Sequence, residues 1–250
     1  MSDFNRGYAR TVPADRADMS VDAGLRSFML GVYNKVALGL VASSGLAFLT
    51  GSFAPVRDLM FRVTADGRLA GFTLIGMIVA FAPIVVLLIS GAAIRNPTTK
   101  SAGAIYWTIV SLIGASLGVV VLRYTGASIA TTFLITASAF GALSLVGYTT
   151  KKDLTAFGSF LIMGLVGLIV ASLVNMFLHS PMMAFIVNLL GVLIFAGLVA
   201  YDTQRLKMTY YQLGGNEQAM GVATNYGALS LYLDFINLFQ FLLSMFGDRR

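Results

Sequence analysis

Long apolar runs constrain this chain more than any other feature. Seven stretches, each close to the roughly 20 residues that a helix needs to cross a bilayer, are separated by short polar segments. We expect the spans to cover residues 28–53, 71–94, 102–122, 127–148, 154–178, 181–201 and 223–246. The pattern predicts an all-α integral membrane protein with the lipid bilayer as its surroundings.

Composition supports this class and excludes others. Of the 250 residues, 57% are hydrophobic and 11% are charged, whereas a soluble domain usually carries about 25% charged residues. The net charge is +6, but the Lys and Arg residues lie in short separators and form no continuous patch, so we expect no nucleic acid partner. With no Cys and one His, the chain cannot build a Cys/His metal site or use a thiol nucleophile.

The chain divides into a tail and one membrane domain. Residues 1–27 hold four Arg and four Asp and lack the apolar core of a signal peptide, which predicts a flexible cytoplasmic tail. Residues 28–250 then form a single seven-helix transmembrane domain. Within it, the longest separator covers residues 203–222 and contains Gly214 and Gly215, so we expect a flexible hinge there.

The distribution of Lys and Arg predicts the orientation. Counted over alternate sides of a seven-helix path, eleven fall on the N-terminal side and six on the opposite side. Because cytoplasmic loops carry the excess of positive charge, the N-terminus is predicted to be cytoplasmic and the C-terminus to lie outside.

Asp234 is an acidic residue inside an apolar run. It lies in the middle of the last apolar run, in the stretch SLYLDFINLF. A charge at that depth costs about 2.5 to 3.5 kcal/mol on insertion scales, so an intramembrane Asp indicates a functional site. Ser230 and Asn237 share its helix face at spacings of four and three residues, and a polar stripe of this kind belongs inside a bundle.

Asp202 is the second carboxylate, in GLVAYDTQRLK at the predicted end of the sixth span. The helix dipole disfavours negative charge at a C-terminus, so Asp202 requires a cation or a proton. One interpretation is an interfacial ion pair with Arg205 at i+3, or with Lys207. The other pairs Asp202 with Asp234, since the last helix starts on the same side. Two poorly solvated carboxylates do not both ionise readily, which predicts a proton-sensitive pair.

Arg95 is a candidate third member of the site. It ends the predicted second span at the level of Asp202, and a guanidinium can hold a carboxylate with two hydrogen bonds. We therefore hypothesise a latch between Arg95 and Asp202 that closes a polar path to Asp234. The alternative is that Arg95 snorkels to lipid phosphate.

Three segments, SLYLDFINLF, GVLIFAGLVAYDTQRLK and GYTTKKDLTAFG, resemble the Bax inhibitor-1 family, and its bacterial branch most closely. The similarity extends from about residue 25 to the end of the chain. It implies six helices around a central last helix, a bacterial inner membrane location and a calcium leak governed by a di-aspartyl pH sensor. The sensor carboxylates correspond to Asp202 and Asp234, and the latch arginine corresponds to Arg95.

Calcium suits such a site chemically, because it takes carboxylate, carbonyl and water oxygens. Asp202, Asp234 and the amide oxygen of Asn237 offer too few ligands for a tight cage, which favours transit over storage. We therefore expect no resident cofactor, with calcium and protons as the species that pass. The identification of calcium comes from the resemblance.

Two alternatives lead to different functions. The family is also associated with suppressing cell death and, in bacteria, with modulating a membrane protease, so the chain would act on a protein partner through its tail. Alternatively, two membrane aspartates and the Tyr201-Asp202 pair are found in intramembrane aspartyl proteases. Their GxGD sequence is absent, since Leu231-Tyr232-Leu233 precede Asp234. We predict that the chain is not an enzyme.

Overall fold

The computed structural model describes residues 23–94 and 96–250. In this part of the chain the elements are α1 (Ala23–Ser52), α2 (Ala54–Met60), β1 (Phe61–Val63), β2 (Leu69–Phe72), α3 (Leu74–Ala93), α4 (Thr99–Ser116), α5 (Gly118–Arg123), α6 (Gly126–Thr149), α7 (Thr155–Leu178), α8 (Pro181–Leu213) and α9 (Glu217–Phe246). Seven helical segments are long and apolar enough to cross a membrane, with α4 and α5 together forming the third. The predicted all-α fold with seven spans is confirmed.

The last helix is the centre of the bundle. In its most apolar stretch 56% of α9 is buried, compared with 11% for α3 and for α7. It packs against α1, α4, α6 and α8, while α3 packs on α4 and α7 packs on α8 toward the outside. Leu231, Tyr232 and Phe235 of α9 are fully or almost fully buried, so the expected central position of this helix is confirmed.

Side-chain caps begin most of the spans. Thr73, Thr98, Thr125, Ser180 and Asn216 each accept a hydrogen bond from the backbone N–H three residues ahead. Each cap satisfies one of the backbone donors that a helix leaves unpaired at its start. Short polar separators therefore suffice to end one span and start the next.

The hinge predicted over residues 203–222 is wrong in extent. Helix α8 continues to Leu213, and only Gly214 to Asn216 separate it from α9. Gly214 and Gly215 have φ of 57° and 84°, a left-handed conformation that glycine adopts without steric cost. Helix α8 extends beyond its apolar run because neighbouring segments bury and hydrogen-bond polar side chains that follow Asp202, such as Gln204 and Lys207.

Two further boundaries differ from the prediction. The second span begins at Leu74 rather than at Gly71, which lies in β2. Strands β1 and β2 form an antiparallel hairpin in the segment after α1, with the rings of Phe61 and Phe72 5.4 Å apart. Helix α1 begins at Ala23, so the last residues of the predicted 1–27 tail are helical, while residues 1–22 lie outside the described residues.

Candidate functional site

Two buried carboxyl groups meet where α8 and α9 pack together. Asp202 of α8 is 7% exposed and Asp234 of α9 is 6% exposed. Both carboxyl groups line the same cavity. The structure thus brings together the two aspartates that the sequence singled out.

One oxygen of this pair has no partner. Asp234 Oδ2 is buried and receives no hydrogen bond from residues 23–94 or 96–250. The pair lines a cavity of about 680 Å³ between α7, α8 and α9. Buried polar atoms in proteins are almost always hydrogen-bonded, so an unpaired carboxyl oxygen at a cavity is a place for water, a proton or a cation.

Arg205 is the cation at the site. Its Nη2 lies 3.2 Å from Asp202 Oδ1 and donates a hydrogen bond of 3.1 Å to Ser230 Oγ on α9. The guanidinium also lies 5.6 Å from the centre of the Tyr201 ring. Since Arg205 is half exposed and Asp202 is buried, this ion pair stands at the border between the site and more open space.

The other two residues of the predicted polar face, Ser230 and Asn237, line the same cavity. Ser230 accepts from Arg205, which also pairs with Asp202, and it lies one helical turn before Asp234. Asn237 lines the cavity on the other side of Asp234, and its amide nitrogen donates to Leu233 O at 2.8 Å.

The predicted position of Asp202 at a helix end needs correction, and the predicted role of Arg95 is not tested. Asp202 does not end a helix, since α8 runs on to Leu213, so the helix dipole has no special role at this carboxylate. Arg95 lies outside the described residues, and its role as a latch stays a prediction.

The polar residues around Asp202 hold α8 among its neighbours. Lys207 is 3% exposed and donates to Tyr148 O at the end of α6, rather than pairing with Asp202. Gln204 accepts from Leu154 N and donates to Lys152 O, both at 2.8 Å, and so fixes the connection between α6 and α7.

Two glycines let the helices approach α8 closely. A Cβ at Gly147 would collide with the backbone of Ala200, and one at Gly158 would collide with the ring of Tyr201. Gly147 and Gly158 bound the GYTTKKDLTAFG segment. This segment and GVLIFAGLVAYDTQRLK therefore form one packed unit around Asp202, although they are distant in sequence.

A row of adjacent cavities lies between the site and one end of the bundle. A cavity of about 460 Å³ near Asn216 shares Thr209 and Ala223 with a second of about 320 Å³. The second shares Arg205 and Ser230 with the cavity that contains the aspartates. The Arg205–Asp202 ion pair thus lies where the cavity of the aspartates borders the next cavity toward the Asn216 end.

The site has few ligands for a metal ion. In the described part of the chain, no group of three or more His, Cys, Asp or Glu side chains is placed to hold one. The two aspartates would need water or carbonyl oxygens to complete the six to eight ligands that Ca²⁺ takes.

From the sequence, Arg95 is predicted to be the cation of the site, and the Asp202–Arg205 ion pair is only one of two interpretations. The i+3 spacing from Asp202 was a sufficient signal for the ion pair, but its hydrogen bond to Ser230 depends on the packing of α9. The burial of Lys207 had no local signal, because its partner is a backbone carbonyl on another helix.

A family model and several known proteins match this chain over most of its length. A family model described as "Inhibitor of apoptosis-promoting Bax1" matches residues 25–250. A protein of Caulobacter vibrioides is 71% identical over 250 residues and 100% of both chains. A protein of Rickettsia prowazekii is 42% identical over 97% of this chain and 98% of its own. The inner membrane protein YbhL of Escherichia coli is 41% identical over 91% of this chain and 94% of its own.

Proposed function

This chain belongs to the Bax inhibitor-1 family, and from that premise we propose that it is a pH-sensitive calcium leak whose ion path passes Asp202 and Asp234. The observation that carries the proposal is the buried carboxyl pair with one unpaired oxygen at a cavity. The Escherichia coli relative is an inner membrane protein, and we propose the same location for this chain.

The charge of the site explains a dependence on pH. When the aspartates share one proton, their single negative charge is balanced by Arg205, and the site is neutral. When that proton leaves, the site carries a net charge of −1 and attracts a cation. Calcium and protons therefore compete for the same oxygens, and acidification should raise the calcium concentration needed for half-maximal flux.

Arg205 has the role of a movable counterion in this proposal. Its ion pair with Asp202 lies where the cavity near Arg205 meets the cavity of the aspartates. A calcium ion that reaches Asp234 along this path must pass the guanidinium, which repels it. We propose that release of Arg205 from Asp202 opens the path from the Asn216 end.

The orientation is part of the proposal. The charge comparison places eleven Lys and Arg residues on the N-terminal side of the seven-span path and six on the opposite side. The bias still favours a cytoplasmic N-terminus, with the Asn216 end of the bundle on the same side.

Flux from liposomes tests the proposal. The purified protein is reconstituted with a calcium dye inside, and calcium entry is followed between about pH 6 and pH 8 for wild type and Asp234→Asn. We expect entry that varies with pH in wild type and loses this variation in Asp234→Asn. Asp66→Asn, which changes an exposed Asp on the hairpin, is the matched control and should behave as wild type.

The result that overturns the proposal is equally clear. If wild type admits no more calcium than protein-free liposomes at any pH, the chain is not a calcium leak. The predicted action on a protein partner would then be the stronger function.

A further inference from the structure

A second large cavity lies on the opposite side of α9 from the aspartates. It has a volume of about 750 Å³, between α1, α5, α6 and α9, within the roughly 300–1,000 Å³ typical of ligand sites. Its inner wall is formed by Phe235, Ile236 and Phe239 of α9. The cavity plays no part in the proposed calcium path.

The cavity is open sideways, where the hydrocarbon of a bilayer would lie. Phe48 of α1 and Leu134 of α6 line it and are 67% and 66% exposed. Two of the serines in its wall have partners within the protein: Ser43 Oγ donates to Val110 O at 3.1 Å and Ser44 Oγ donates to Leu40 O at 2.8 Å. The interior therefore suits an apolar chain better than water.

Two arginines lie at the mouth of the cavity, and one of them, Arg57, forms an ion pair with Asp58. Arg57 of α2 and Arg250 line it, beyond the end of α1. Arg57 Nε donates to Asp58 at 2.8 Å, while its two terminal nitrogens have no acceptor among the described residues. The side chain of Arg250 has none there either, although its backbone N–H donates to Arg123 O at 3.0 Å and fixes its position.

An apolar cavity open to lipid, with two arginines at one end, has the chemistry of a phospholipid site. We propose that it binds one anionic phospholipid, with an acyl chain between α1 and α6 and the phosphate at Arg57 and Arg250. Guanidinium groups bind phosphate with paired hydrogen bonds, and basic pockets between membrane helices bind anionic head groups. A zwitterionic lipid has the same phosphate, but its own cation is repelled by the arginines.

Native mass spectrometry of the full chain in detergent tests the proposal, because it counts bound lipids without any assay of flux. The protein is titrated with phosphatidylglycerol and, separately, with phosphatidylcholine of the same acyl chains. We expect one phosphatidylglycerol to bind before any other and phosphatidylcholine to bind weakly. The double change Arg57→Gln and Arg250→Gln should weaken phosphatidylglycerol binding about thirtyfold. Each arginine near an anionic head group strengthens binding about fivefold, and the two factors multiply.

Two further variants keep the test decisive. Arg249→Gln removes the same charge from an exposed neighbour that does not line the cavity, and it should bind as wild type. Ala130→Trp fills the opening from an exposed position on α6, and it should abolish the single tight site even if the double variant fails to fold.

Three results would overturn the proposal. The first is equal binding of the two lipids by wild type, and the second is undiminished phosphatidylglycerol binding by Ala130→Trp. The third is a lipid-free dimer of wild type that Ala130→Trp disrupts, since a second copy of the chain would then occupy the cavity.

Discussion

On the side of α9 that faces α1 and α4, Tyr232 OH lies 2.6 Å from Ser43 Oγ, and Ser43 donates onward to Val110 O. Two residues later on the same helix, Asp234 faces α8 and a cavity, with one carboxyl oxygen unpaired among the described residues. The side chains of both residues are buried in the protein. The first is hydrogen-bonded by its neighbours and connects helices, whereas the second has an oxygen with no partner among the described residues.

The packing near the two groups also differs. Next to Tyr232, Gly114 of α4 packs directly against the backbone of Ser43 on α1, although the cavity of about 750 Å³ reaches the other side of Ser43. Next to Asp234, cavities lie along α9 from Asn216 to Asn237. The difference indicates that Tyr232 contributes to packing, whereas Asp234 is free for the proposed ion path, so substitutions at the two groups should separate stability from flux.

The largest effect on stability is expected at Gly114. A Cβ there would collide with the Ser43 backbone, so Gly114→Ala should lower the free energy of unfolding by about 2 to 3 kcal/mol. Gly141→Ala on α6 is the control, since a Cβ there meets open space, and it should be neutral or slightly stabilising. Unfolding titrations in mixed detergent measure both; equal stability of the two variants would contradict the account.

A smaller loss is expected at Lys207. Lys207→Met keeps the apolar stem but removes the bond to Tyr148 O, which should cost about 1.5 kcal/mol. Lys152→Met, at an exposed lysine of the connection before α7, should change stability little. If the two methionine variants unfold together, the buried lysine does not tie α8 to α6.

Tyr232→Phe should have the smallest effect on stability. The loss of one interhelical hydrogen bond in a membrane protein costs about 0.6 kcal/mol. Calcium entry should keep its wild-type dependence on pH, because Tyr232 contributes to packing and does not line the cavity of the aspartates. A changed pH dependence in Tyr232→Phe would show that the two groups are not independent.

The sequence predicted the spans better than it predicted what joins them. Apolar runs indicate contact with lipid, so the seven helices could be found directly. The length of α8 could not, because its polar end is stabilised by groups distant in sequence, such as Tyr148 O for Lys207 and Lys152 O for Gln204. The hairpin of β1 and β2 was missed because its strands have only three and four residues.

The site shows the same limit. Asp234 was recognisable because a carboxylate within an apolar run has no solvent, and Asp202 because it lies at the end of another run. The role of Arg205 as the nearest cation among the described residues required the packing of α8 on α9, since its guanidinium contacts both Asp202 and Ser230.

Competition between calcium and protons at the aspartate pair is the central claim, and proton release on calcium binding tests it most directly. Calcium is added to the purified protein in a weakly buffered solution, and the pH of the solution is followed. We predict release of on the order of one proton per protein from wild type and none from Asp234→Asn, since a metal displaces the proton of its ligand. Equal release from both proteins, or none from wild type, would contradict the account.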